Sequence, residues 1–146
     1  MKKLFIAALM AVAVAGSAFA ADVSKLSNKV KSNFDAQFAG AQNIEWAVRD
    51  TYTKFTFSLA GERVEAFYSQ EGELIATSRK VEYSRLPLNA LQHIQKNYGT
   101  YKTEETIEFD QDGDRSYYVS LDKAGKKLIL QVSLYGNVSV YHGAKK

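Results

Sequence analysis

The densest run of ligand-capable groups in this 146-residue chain is Asp110-Gln111-Asp112-Gly113-Asp114. Alternating carboxylates can direct oxygens at Ca²⁺, and an intervening glycine permits a sharp turn. An EF-hand loop, however, takes glycine at its sixth position and an acidic residue at its twelfth. Here glycine is fourth, and the twelfth residue counted from Asp110 is Leu121. The run reads more simply as a polar hairpin turn between Ile107-Glu108-Phe109 and Tyr117-Tyr118-Val119, because Asp and Gly are favoured where a chain reverses.

The other reactive residue types lead away from catalysis. His93 and His142 stand 49 residues apart, with no H-x-x-H or H-E-x-x-H spacing to aim them at one metal, and both read as solvated surface histidines. The absence of Cys removes disulfides, thiolate metal sites and thiol nucleophiles together. No Ser sits in G-x-S-x-G, and no Gly-rich phosphate loop occurs. Glu104 and Glu105 are neighbours on a strand, so they point to opposite faces and cannot share a proton task. Glu71 and Glu73 flank Gly72 as ordinary solvated charges. These patterns predict a protein that is not an enzyme and has no catalytic residue, no metal and no cofactor.

Two amphipathic helices and eight short strands must position whatever site exists. Val23, Leu26, Val30, Phe34 and Phe38 recur at helical spacing, with Asp22 or Ser24 available as a cap and Gly40 as the stop. A second helix opens at Leu86-Pro87, carries Leu88, Leu91, Ile94 and Tyr98 on one stripe, and ends at Gly99. Alternation and turn residues place strands near 43–49, 52–59, 63–69 and 74–79, then near 104–110, 115–121, 127–134 and 137–141. A shift of 64 residues lays Ala60-Gly61 on Ala124-Gly125, Ser69 on Ser133 and Gly72 on Gly136. The expected fold class is therefore α+β, a tandem repeat of one helix followed by a four-stranded antiparallel meander, with the helices on one face of a broad sheet.

The first twenty residues read differently. Lys2 and Lys3 precede an apolar run from Leu4 to Ala15, and Ala18-Phe19-Ala20 has the small-x-small pattern of a cleavage site. The run is too short for a membrane span, which needs roughly 20 apolar residues. The expected organisation is a signal peptide at 1–20, a first repeat at 21–79, a connector at 80–86 and a second repeat at 87–146, all in one structural domain. The formal charge of +3 includes Lys2 and Lys3, so without them it is +1. A nearly neutral body lacks the basic stripe that nucleic acid requires.

Phe34, Phe38, Ala41, Ile44-Glu45-Trp46, Tyr52-Thr53-Lys54-Phe55, Ala66-Phe67-Tyr68, Glu71 to Ala76, Ser78-Arg79 and Leu86-Pro87 together resemble the secreted PepSY-like family, related by fold to beta-lactamase inhibitor protein. The resemblance covers most of residues 30–100 and is weaker beyond, where Trp46 has no counterpart. It implies a periplasmic or secreted address and little about activity, since fold does not fix function.

Strand alternation then sorts the apolar residues. Ile44, Trp46, Val48, Phe55, Phe57, Leu59, Val64, Ala66, Tyr68, Val119, Leu121, Leu128 and Leu130 are expected beneath the helices. The opposite face receives Tyr52, Lys54, Phe67, Ile75, Arg79, Tyr118, Ile129, Tyr135 and Tyr141, where polar residues would be usual. Aromatics mixed with a few cations have the composition of a recognition surface. The expected function is a non-enzymatic secreted or periplasmic binding module, inhibitor-like in kind, that recognises an envelope or extracellular protein or peptide. Its partner-binding residues would be Tyr52, Lys54, Phe67, Arg79, Tyr118, Tyr135 and Tyr141, without nucleic acid or a membrane anchor. The alternative is a carrier that holds a small apolar ligand between helix and sheet.

Overall fold

Residues 26–142 are described by the computed structural model. The expected signal peptide, the capping residues Asp22 and Ser24, and Lys145 and Lys146 lie outside the described residues. Helix α1 (Asn28–Gln37) buries Val30 and Phe34, one turn apart, and Ser27 precedes it in extended conformation without a side-chain cap. Helix α2 (Leu88–Tyr98) begins after Pro87, whose missing N–H is harmless there, and buries Ala90 and Ile94. No helix among the described residues is long and apolar enough to cross a membrane.

The strands are β1 (Gln42–Val48), β2 (Tyr52–Leu59), β3 (Glu62–Ser69), β4 (Leu74–Lys80), β5 (Lys102–Gln111), β6 (Asp114–Lys123), β7 (Lys126–Ser133) and β8 (Val138–Val140). Two-residue turns close three of the hairpins. Ala60-Gly61, Asp112-Gly113 and Ala124-Gly125 all have positive φ at both positions, the type I′ geometry that matches the natural strand twist.

The expected tandem repeat is corrected here. Among the described residues all eight strands form one antiparallel sheet in the order β1 to β8, with two helices against it. β4 and β5 pair across the connector from Ala76↔Gln111 to Lys80↔Ile107, so no boundary divides the sheet into two meanders. The two ends also differ in build: β5 and β6 run ten residues each, whereas β8 has three. Backbone ladders unite edges whenever two strands lie side by side, because an unpaired edge leaves donors and acceptors unsatisfied. A sequence shift cannot register that pairing.

The register fixes which residues share a face. Phe57 pairs with Val64, Val64 with Arg79, Arg79 with Glu108, Glu108 with Tyr117, and Tyr117 with Val132. This row crosses six strands and carries both helices. Under α1, Val30 and Phe34 pack with Phe55, Phe57, Ala66 and Tyr68, and the Phe34 and Phe55 rings stack 4.1 Å apart. Under α2, Leu86, Ala90 and Ile94 pack with Tyr117, Val119, Leu121, Leu130 and Val132. Each large side chain buried this way contributes roughly 1.5–3 kcal/mol.

Candidate functional site

The sheet face that carries no helix among the described residues holds a third cluster. Tyr52, Phe67, Ala76, Phe109 and Tyr118 are buried together, with Ile75, Ile129 and Tyr141 packed around them. The rings meet edge to face: Tyr52 on Phe67 at 5.9 Å, Phe109 on Tyr118 at 6.2 Å and Tyr118 on Tyr141 at 5.2 Å. Such pairs each add roughly 0.5–1.5 kcal/mol beyond their burial. Phe67 and Tyr118 are each only 1% exposed. They form the floor of this face, and Lys54, Ile75, Ile129 and Tyr141 form its rim.

The floor is poor in hydrogen bonds. The hydroxyls of Tyr118 and Tyr141 are buried without a hydrogen-bond partner among the described residues. Burial pushes the Tyr118 pKa up to about 12; Ser116 stands near enough to offset part of this, without forming a bond of good geometry. Next to the aromatic floor lies a polar strip. Lys54 Nζ approaches Glu65 Oε1 at 3.8 Å and Arg63 approaches the same oxygen at 3.5 Å, while Ser78 Oγ donates to Glu65 Oε2 at 3.4 Å. Burial lowers the Lys54 pKa, and the nearby Glu65 carboxylate opposes that effect. A cleft of about 270 Å³ opens beside the strip, lined by Arg63, Glu65, Ser78, Lys80, Glu105 and Ile107 among others.

The residues singled out by alternation do not all come together. Tyr52, Phe67, Tyr118, Ile75, Ile129 and Tyr141 share the cluster, and Lys54 flanks it through Glu65. Arg79 stands on the helix-bearing face instead. The reason is a bulge at Ile75: Phe67 pairs with Ala76 and Tyr68 with Leu74, which leaves Ile75 as the extra residue. One inserted residue reverses the alternation for the rest of the strand. Tyr135 lies in the β7–β8 turn, away from the cluster. Simple alternation did not place Phe109 or Ala76 on this face, where both belong to the buried cluster.

Arg79 belongs to a charged seam between the two helix-covered regions. Its Nε donates to Glu108 Oε1 at 3.1 Å and its Nη1 to Glu62 Oε2 at 3.2 Å, and Arg115 approaches Glu108 at 3.8 Å. Glu108 is 5% exposed, and among the described residues its Oε2 has no hydrogen-bond partner, nor does the hydroxyl of buried Thr106 nearby on the same face. Beyond the seam β4 leaves the sheet after Lys80, and a cleft of about 470 Å³ opens between the connector and β5, lined by Glu62, Glu82, Tyr83, Glu104, Glu105 and others. Its carboxylates suit a polar occupant better than an apolar one.

Asp110, the start of the candidate calcium run, is used within its own turn. Its Oδ1 accepts the Gly113 N–H at 3.0 Å, and its Oδ2 faces Arg115 at 3.6 Å. No group of three or more His, Asp or Glu is arranged to hold a metal among the described residues. His93 and His142 are both exposed.

No protein-family model matches the chain, and no curated protein matches it significantly. Solved structures do. A DUF2874 family protein from Bacteroides uniformis superposes with a TM-score of 0.71 at 10% identity, over 77% of this chain and 86% of that one. A BLIP-like protein from Bacteroides fragilis gives a TM-score of 0.67 at 16% identity, over 81% and 84%. A protein from Bacteroides eggerthii described as a candidate periplasmic protein gives 0.72 at 11% identity, over 77% and 84%. At these identities the likeness is one of fold: the chain has a BLIP-like fold.

Proposed function

We propose that this protein is a non-enzymatic binding module of the periplasm or the extracellular space, related to the secreted PepSY-like family, that recognises a protein or peptide on its open sheet face. The observation that carries this reading is the aromatic cluster on the face that bears neither helix. A sheet with helices on one side ordinarily turns polar residues outward on the other. Here five buried residues build an apolar floor instead, with Ile75, Ile129 and Tyr141 packed around it. Packed rings fix a floor that needs no ordering when a partner arrives, and little entropy is then lost on binding.

Floor and rim have different tasks in this reading. Tyr52, Phe67 and Tyr118 hold the shape of the surface from within. Ile129, Tyr141 and Lys54 meet the partner, with the Lys54–Glu65 pair offering both a cation and an acceptor at one end. Arg79 acts from beneath by holding Glu108. The exported address agrees with the signal-like N-terminus and with the description of the Bacteroides eggerthii neighbour. An inhibitor-like role agrees with the BLIP-like neighbour's fold.

The test is site-directed photo-crosslinking in the producing cell. A photoreactive side chain at Ile129 or Tyr141 is expected to give one discrete adduct that disappears when Lys54→Glu is added. The same probe at the exposed α2 residue Gln92 is expected to give none. Adducts from Gln92 alone, or equal labelling from all three positions, would sink the reading.

A further inference from the structure

Three of the large apolar side chains that the fold leaves exposed gather at one corner. Leu88 opens α2 at 71% exposed, and Leu134 and Tyr135 form the β7–β8 turn at 50% and 81%. Asn89 Nδ2 donates to the Tyr135 carbonyl at 2.9 Å. A Cβ on Gly136 would come within 2.0 Å of Asn89 Oδ1, so this glycine allows the turn to lock onto the start of α2.

The turn itself does not call for apolar residues. The β3–β4 turn has the same build. Ser69 N–H donates to Glu73 O and Glu73 N–H to Ser69 Oγ, just as Ser133 N–H donates to Asn137 O and Asn137 N–H to Ser133 Oγ. A helix asparagine holds each turn, Asn33 through the Gly72 carbonyl and Asn89 through that of Tyr135. Yet the first tip is Gln70-Glu71 and the second is Leu134-Tyr135.

The two sheet edges differ in the same sense. β1 is guarded: its ladder with β2 is broken between Gln42 and Glu45, Asn43 has a φ of 52°, and Glu45 puts a charge on the strand. Bulges and charges of this kind keep an edge from pairing with other chains. β8 has no such guard, since no Asp, Glu, Lys, Arg or Pro occurs between Leu128 and Tyr141. Asn137, Ser139 and Tyr141 face β7 with their backbone bonds. Antiparallel alternation therefore turns the N–H and C=O of Val138 and Val140 outward, and among the described residues β8 pairs with β7 alone.

We propose that this edge is a self-association surface whose occupant is β8 of a second copy of the chain. Antiparallel pairing about a two-fold axis through Ser139 sets Val138 of one copy opposite Val140 of the other, so each outward N–H meets an outward C=O. A charge-free edge meets itself without like-charge repulsion, and it offers no ionic feature by which to choose a foreign strand. Leu88, Leu134 and Tyr135 flank the edge and supply apolar contact. β8 has only three residues, so the contact is short beside a standard interface and the dimer is expected to be reversible. The axis runs perpendicular to the sheet, which keeps all helices on one side and joins the two open faces.

Sedimentation of the protein purified from its own host over about 5–500 µM tests this. A concentration-dependent dimer is expected. Exchanging Leu134-Tyr135 for the residues of the twin turn (L134Q/Y135E) should weaken it roughly tenfold or more at unchanged melting temperature. Val140→Pro, which removes an outward N–H, should act alike, and Glu45→Lys at the β1 edge should have no effect. A wild type that stays monomeric throughout overturns the proposal. So does a dimer indifferent to L134Q/Y135E, or a chain that stays monomeric and associates only with a strand of another protein.

Discussion

Arg79 stands directly opposite Glu108 on the β4–β5 pair, and its Nε donates to Glu108 Oε1 at 3.1 Å. The bond bridges the two strands that make one sheet of the molecule, and hydrogen bonding to Glu108 is the main reason that the Arg79 pKa is raised. Arg79→Met should destabilise the protein by about 2–3 kcal/mol, because it leaves a buried carboxylate with only the more distant Arg115. Arg79→Met combined with Glu108→Leu should recover most of that loss. Urea denaturation of both single variants and the double variant measures the coupling, and purely additive effects would contradict the assignment.

Two substitutions on the open face should act in opposite directions. Phe67→Ala removes a ring from the aromatic floor and should cost about 3–5 kcal/mol. Tyr118→Phe removes a buried hydroxyl that has no hydrogen-bond partner among the described residues, so it should stabilise by up to about 1 kcal/mol. Thermal melts of the two variants decide the point: a clear loss of stability in Tyr118→Phe would mean that the hydroxyl has a partner.

Ala60 and Ala124 hold φ near 52° in their turns, a conformation that disfavours a Cβ-bearing residue other than Asn or Asp. Ala60→Asn and Ala124→Asn should therefore each stabilise by about 0.5–1 kcal/mol. Chemical denaturation midpoints check this, and a destabilised variant would count against the turn geometry.

Alkaline pH should unfold the protein through its buried tyrosines. Burial pushes Tyr68 and Tyr118 from 10.0 up to about 12. Below pH 10 both states keep these protons and stability is insensitive to the groups. Between pH 10 and 12 the unfolded chain loses protons that the folded chain retains, so stability falls as pH rises. Urea midpoints measured from pH 8 to 12 should decline over that window, and less steeply in Tyr68→Phe. An unchanged slope in that variant would assign the effect elsewhere.

Much of the local structure was legible in the residues. Val30 and Phe34 announced the buried stripe of α1, Pro87 and Gly99 bracket α2, and Gly61 and Gly125 mark hairpins because glycine accepts the positive φ that a tight turn needs. The candidate site was legible only in part. Alternation carried Tyr52, Phe67 and Tyr118 to one face, but a single extra residue at Ile75 sent Arg79 to the other.

The sequence by itself determined the elements, their order and the hairpin pairing of strands joined by tight turns, because helix periodicity, strand alternation and turn conformation are set by neighbours a few residues apart. Only the tertiary structure decided that β4 joins β5 in one sheet, and that Glu108 is buried beneath Arg79. It alone packed Phe67 and Tyr118 into a floor rather than leaving them as exposed anchors. These outcomes depend on ladder bonds and side-chain packing between residues dozens of positions apart, where closure of the chain, not local propensity, chooses the neighbours.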